Sequence, residues 1–248
     1  MPTLLDWRRR ATAAAGLALA ALALGCAPRP LLARALAARG GPFRGVLLCA
    51  EGRVYAGVPG RWRFARAYLT PDHYAWRVET AGEPDSYLFD GTVVRSFIGN
   101  AEVARDASPA APLRSHARWT GVMLLDGLDA PGVTVEELPV SDVPPGAREG
   151  LRVRFADGAT YRLGFDAAAT LVSIDGPLDL WPLGSGPATV RYADPRTTAG
   201  VTLPTRASYF GGDRRLADES IDAVGVDPPG LTPASFVDPA SLPSCPRQ

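Results

Sequence analysis

The chain has 248 residues, and its 26 basic residues, all arginine, balance 26 acidic ones, so the formal charge is zero. That balance removes the electrostatic footprint of a nucleic-acid binder, and 46% hydrophobic against 21% charged residues excludes an intrinsically disordered chain. Gly 26 and Pro 24 together make about a fifth of the chain, which disfavours a helical bundle and suits short strands joined by turns. Two histidines and three cysteines leave little material for a metal centre, and the residue pattern calls for no cofactor.

Arg8, Arg9 and Arg10 precede an uninterrupted small and apolar stretch from Ala11 to Gly25. Its 15 residues make roughly 22 Å of helix at about 1.5 Å per residue, short of the ~30 Å hydrocarbon core. Residues 1–25 therefore read as a secretory signal and not as a membrane span. The stretch ends in Leu22-Ala23-Leu24-Gly25-Cys26, which resembles the lipobox of bacterial lipoproteins with the leucine one place from its usual position. The resemblance implies that Cys26 is acylated and becomes the new N-terminus; the alternative is a signal peptide cut elsewhere with Cys26 incidental. Two or more acyl chains give stable anchoring where one does not, so the expected partner is a membrane, reached through an N-terminal lipid anchor. Ala27 implies, by the same resemblance, the outer membrane, with the protein facing the periplasm. Residues 26–30 form a tether, 31–240 a single domain and 241–248 a C-terminal tail.

With Cys26 acylated, Cys49 and Cys245 remain. In an oxidising compartment a disulfide between them would fix the tail to an early strand. The other reading makes Cys49, inside an apolar run, a small buried hydrophobe.

Leu31–Arg39 is predicted to be a short helix, with Leu31, Leu32, Ala35 and Leu36 on one face and Gly40-Gly41 stopping it. Strands follow at Phe43–Arg53 and Arg61–Leu69, the latter with Trp62, Phe64 and Tyr68 on one side and Arg63, Ala65 and Ala67 on the other. Pro71-Asp72 turns the chain into His73–Glu79, where Tyr74, Trp76 and Val78 oppose His73, Arg77 and Glu79. Asp85–Asp90 places Tyr87 and Phe89 on one face, and Asp90-Gly91 leads to Thr92–Ile98 as a hairpin. Residues 99–112 read as a loop, and Leu113–Leu125 as a helix carrying Trp119, Val122 and Met123 on one side. Gly121 weakens that helix by roughly 1 kcal/mol relative to Ala. Strands resume at Val133–Leu138, Leu151–Phe155, Thr160–Phe165, Leu171–Ile174, Ala188–Tyr192, Thr198–Leu203 (ending at Pro204), Thr205–Phe210 and Arg215–Val226. Residues 141–149 form a loop, and six prolines after Asp227 predict an extended tail across the surface. Period two in nearly every segment marks half-buried antiparallel strands. The expected fold is mainly β (α+β), one domain on an unclosed antiparallel sheet of about ten or eleven strands that curls into a half-barrel with a helical lid.

No spacing organises a catalytic constellation. Gly184-Ser185-Gly186 is not a five-residue nucleophile elbow and reads as a flexible loop. His73 and His116 have no second ligand at metal spacing, and Asp85 and Asp90, five residues apart on one strand, fall on opposite faces. The informative pattern is the alternation of Trp62, Phe64, Tyr68, Tyr74, Trp76, Tyr87 and Phe89 over consecutive strands, with Trp119 and Met123 on the helix above. One reading makes these a packed core. The other leaves an apolar groove between the curled sheet and its helix, open to an acyl chain. At about 25 cal/mol per Å², burying roughly 300 Å² of lipid stabilises binding by about 7.5 kcal/mol before entropic costs.

Trp62-Arg63-Phe64, Leu69-Thr70-Pro71-Asp72-His73-Tyr74, Tyr87-Leu88-Phe89-Asp90-Gly91, Gly164-Phe165-Asp166, Gly200-Val201-Thr202-Leu203-Pro204 and Val226-Asp227-Pro228-Pro229 with Phe236 resemble, in order, elements of the bacterial lipoprotein-carrier superfamily (LolA/LolB-like). The resemblance spans residues 31–240 and implies an unclosed β-barrel with a helical lid over a hydrophobic cavity. It implies a non-catalytic protein whose ligand is a lipid or a lipoprotein acyl chain, and Cys26 makes it more like the anchored receptor branch than the soluble carrier. That branch presents an apolar side chain on a protruding loop, whereas Ala81-Gly82-Glu83-Pro84 carries none of any size. A structural or sensor lipoprotein with a filled core, docking other envelope proteins through residues 99–112 and 141–149, is the alternative.

Overall fold

The computed structural model describes residues 30–56, 59–79, 82–104, 110–179 and 185–245. Cys26 and the preceding segment lie outside the described residues. Helix α1 (Pro30–Arg39) begins on a proline, whose fixed φ suits a first turn, and ends at Gly40, whose φ of 100° only glycine adopts without strain.

Thirteen strands follow: β1 (Gly45–Val54), β2 (Gly60–Leu69), β3 (His73–Glu79), β4 (Asp85–Asp90), β5 (Val94–Ile98), β6 (Ala101–Glu102), β7 (Thr134–Glu137), β8 (Glu149–Arg154), β9 (Thr160–Phe165), β10 (Leu171–Asp179), β11 (Ser185–Thr198), β12 (Val201–Gly211) and β13 (Arg214–Val226). All pair antiparallel in one sheet of order β6-β5-β4-β3-β2-β1-β13-β12-β11-β10-β9-β8-β7. The first strand pairs with the last, and β6 and β7 are the two free edges, so the sheet does not close. Helix α2 (Ala110–Met123) connects those edges and lies against β10, β3 and β4. The fold is a mainly β, unclosed half-barrel with a helical lid.

Where about ten or eleven strands were expected, the described residues form thirteen, and several boundaries change. Val201–Gly211 runs straight through Pro204, where the sequence reading ends a strand, and β11 carries both Pro187 and Pro195. The register explains the tolerance: Pro195 faces Pro204, and Pro187 faces Pro177 on β10. An antiparallel ladder has alternate pairs that exchange no N–H···O bonds, so two prolines set opposite one another at such a pair cost no donor. Ser185 and Gly186 lie in β11 opposite Asp179 and Leu178, not in a loop. Residues 99–112 include β6 and the first turn of α2, and a single-turn 3₁₀ helix (Val140–Asp142) occupies the segment after β7.

Cross-strand partners share a face, so the register sorts the side chains. The inner face, towards α2, carries Val46, Leu48 and Ala50 of β1, Tyr68 of β2, Tyr74 of β3, and Tyr87 and Phe89 of β4. Leu163, Ile174, Val190 and Ile221 from the other half join them with Leu113, Trp119 and Val122 of α2 in one buried core. The outer face of β1–β5 carries a second, smaller cluster of Leu47, Cys49, Ala67, Ala75, Leu88 and Phe97.

The C-terminal segment covers that second cluster. Instead of running extended, it folds into two 3₁₀ turns (Pro233–Phe236 and Pro239–Ser241), which bury Phe236 and Leu242 against the outer face. Asp227 holds its start, accepting the backbone N–H groups of Arg44 at 2.7 Å and Gly45 at 2.9 Å. A disulfide between Cys49 and Cys245, with 5.9 Å between Cα atoms, closes its end. Residues 241–245 thus pack on the sheet and do not trail from it.

Candidate functional site

The inner face becomes polar where β2 meets the lid. Alternation places Arg66 between Phe64 and Tyr68, pointing inward, and Glu219 of β13 points inward opposite Gly52. The two side chains, 12% and 4% exposed, meet across β1 as a hydrogen-bonded ion pair. Tyr209 donates to the second carboxylate oxygen at 2.8 Å, so the buried charge is matched on both oxygens. Burial opposes the Arg66 charge, but Glu219 outweighs it and holds the guanidinium firmly protonated. The hydroxyl of Tyr209 is pushed well above its ordinary value by burial and by Glu219, and that of Tyr74, by burial, up to about 12.

His116 of α2 stacks on Tyr74 with ring centroids 6.2 Å apart and lies 5.7 Å from Trp76. Burial, aided by the nearby Arg66 charge, lowers its pKa to about 4 against an opposing backbone hydrogen bond to Asp179, so the ring is neutral at pH 7. Deeper under the lid, Trp119 donates to the Tyr192 hydroxyl at 2.8 Å and meets Tyr161 edge to face at 5.6 Å. Burial raises the Tyr192 hydroxyl well above its usual range.

At the end of the lid the interior closes. The Tyr68 hydroxyl donates to Asp126 at 2.7 Å, and Arg39 of α1 donates to the carbonyl of Leu124 at 3.0 Å. Gly121 has a use here: a Cβ on it would stand 3.0 Å from the Tyr68 hydroxyl oxygen. A cavity of about 20 Å³ remains beneath α1, lined by Ala35, Met123, Leu171 and Leu203 among others. It has room for about one water and none for an acyl chain.

The aromatic candidates therefore divide. Tyr68, Tyr74, Tyr87, Phe89, Trp119 and Met123 are fully buried in one continuous core. Phe64 and Trp76, edge to face at 6.3 Å, are only half-buried, and Trp62, in the same row of β2, is 40% exposed and lies outside the packed interior. Together these three make an aromatic ledge that leads out of the core beside Arg66, whose guanidinium sits 5.4 Å over the Phe64 ring. His73 is on the other face, against Phe236 and 3.1 Å from Asp72. Asp85 and Asp90 project to opposite sides, with Asp90 bound to Arg95 at 2.7 Å. Sequence reasoning passed over Arg66, Glu219 and Tyr209, although the period-two phase that puts Phe64 and Tyr68 inside puts Arg66 there too. Among the described residues no group of three or more His, Cys, Asp or Glu is placed to hold a metal ion.

No protein-family profile and no curated protein matches the chain. Among solved structures it is similar to a LolA superfamily protein from Nitrosomonas europaea, at 11% identity and a TM-score of 0.48, over 84% of this chain and 96% of that one. It is likewise similar to a DUF1329 family protein from Desulfovibrio piger, at 12% identity and a TM-score of 0.46, over 83% of this chain and 94% of that one.

Proposed function

We propose that the protein is a non-catalytic, lipid-anchored envelope protein, acylated at Cys26 in the outer membrane and facing the periplasm, that holds an apolar ligand against the inner face of its half-barrel. The ligand is a lipid or a lipoprotein acyl chain. The observation that carries this reading is the ledge of Trp62, Phe64 and Trp76, three large aromatics on the lid side of β2 and β3 that the lid leaves partly uncovered. Apolar surface left open beside a packed core is the usual mark of a binding groove.

The test is native mass spectrometry of a Cys26→Ser protein purified without detergent. Co-purifying lipid that disappears in Trp76→Arg, with the circular dichroism unchanged, supports the proposal. Protein that stays ligand-free, and does not take up added fatty acid, sinks it. A second reading, a scaffold that docks other envelope proteins, is favoured by the continuous packing of Tyr68, Tyr74, Tyr87, Phe89, Trp119 and Met123 under the lid.

A further inference from the structure

Glu137, the last residue of β7, accepts the backbone N–H of Leu31 at 3.1 Å and so holds the first turn of α1. Arg34, one turn on, binds both carboxylate oxygens of Glu149 at the start of β8, at 2.8 and 2.7 Å. The N-terminus of α1 is thereby pinned to the root of the β7–β8 connection. Three residues beyond Glu137 that connection exposes Val140, 89% accessible, and Pro139 and Pro145 on the same connection are exposed too. The loop is held and its tip is not random: Leu138 donates to Gly150 at 2.8 Å, Ala147 to Pro144 at 3.1 Å, and Asp142 accepts from Arg152 at 3.4 Å.

Cys26 lies four residues before Pro30, and four extended residues reach at most about 14 Å. A lipid on Cys26 must therefore bring the bilayer surface close to this corner of the molecule. From that placement we infer that the Val140 loop is the membrane-contact tip, seating Val140 in the headgroup region of the bilayer that holds the anchor. The inference rests on Cys26 being the acylated residue. It orients the half-barrel with the β7–β8 connection and the first turn of α1 towards the lipid. Val140 is 89% exposed on a pinned loop, and an interface one short tether away would take its apolar surface out of water.

The experiment uses full-length protein carrying Val140→Cys, purified with its anchor and labelled with an environment-sensitive fluorophore under non-reducing conditions, so that the Cys49–Cys245 disulfide stays closed. It is reconstituted on phosphatidylethanolamine–phosphatidylglycerol vesicles, with a label at Val237→Cys on the C-terminal segment as the control. The expected result is a blue shift and quenching by brominated lipid at 140, with neither at 237. Cosedimentation with vesicles but an aqueous spectrum at 140 overturns the inference and leaves the anchor standing. A blue shift at 140 that appears only with a second envelope protein present assigns the loop to protein docking and overturns it too. Failure to cosediment removes the anchor, and the inference falls with it.

Discussion

Trp119 and Tyr192 join the lid to the middle of the sheet: the indole N–H of one donates to the hydroxyl of the other across 2.8 Å, both side chains buried. Tyr192→Phe keeps the ring and removes the acceptor, leaving a buried N–H without its partner. The expected cost is about 1–3 kcal/mol, read as a lower urea midpoint at unchanged slope. A midpoint equal to that of the parent protein would show that the bond contributes nothing net.

Arg66 and Glu219 form a buried pair, and removing one partner strands the other charge. Arg66→Met is expected to destabilise the fold by about 3–5 kcal/mol. The double variant with Glu219→Leu should recover most of that loss, because no charge is then left inside. A double-mutant cycle in urea with no recovery would place the stabilisation elsewhere, in the Tyr209 hydrogen bond to Glu219 or in the packing around the pair.

The buried His116 makes stability depend on pH. The folded ring takes up its proton only near pH 4, the unfolded one at about 6.5, so the unfolded chain binds more protons between those values. Its contribution to stability is full above pH 6.5 and is lost as pH falls towards 4, by up to about 3 kcal/mol. His116→Phe should flatten thermal stability over that window. Asp90 acts lower down: hydrogen bonds from Arg95 first, and from the backbone of Val93 and Thr92, depress its pKa, so its contribution holds above the ordinary carboxylate range and is lost below it. A stability profile that keeps its slope between pH 4 and 6.5 in His116→Phe refutes the assignment.

The Cys49–Cys245 disulfide spans 196 residues of sequence and holds the segment that covers the outer cluster. Cys245→Ser, or reduction, is expected to cost about 2–5 kcal/mol through the unfolded state. Thiol labelling of native protein should find Cys49 and Cys245 unreactive until reductant is added. Labelling of either cysteine in unreduced protein contradicts the bond.

Fill of the Gly121 position gives a local test. Gly121→Ala improves the helix in isolation by about 1 kcal/mol, yet its Cβ would press on the Tyr68 hydroxyl that reaches Asp126. The expected result is no gain, or a loss, in thermal stability; the full helix-propensity gain would mean that Tyr68 moves aside freely.

Alternation is a local property, and it was readable. His73–Glu79, Asp85–Asp90 and Thr160–Phe165 have the predicted limits because each is short, aromatic and bounded by turn residues. Pro204 misled because proline reads as a strand breaker until its cross-strand partner is known, and that partner is another proline, Pro195. Arg66 was hidden for a related reason: a charged residue in an apolar phase is ordinarily solvent-facing, and its counter-charge is 153 residues away at Glu219.

The class of this protein is legible along the chain: period-two aromatics and about a fifth of Gly and Pro admit little besides an antiparallel sheet, since strand pleating and turn chemistry act over a few residues. Which aromatics are sealed and which stay open, how the C-terminal prolines fold over the outer face, and where the buried ion pair sits are settled by long-range packing. Those outcomes depend on pairing the first strand with the last and on laying one helix across the sheet, contacts that no local period encodes.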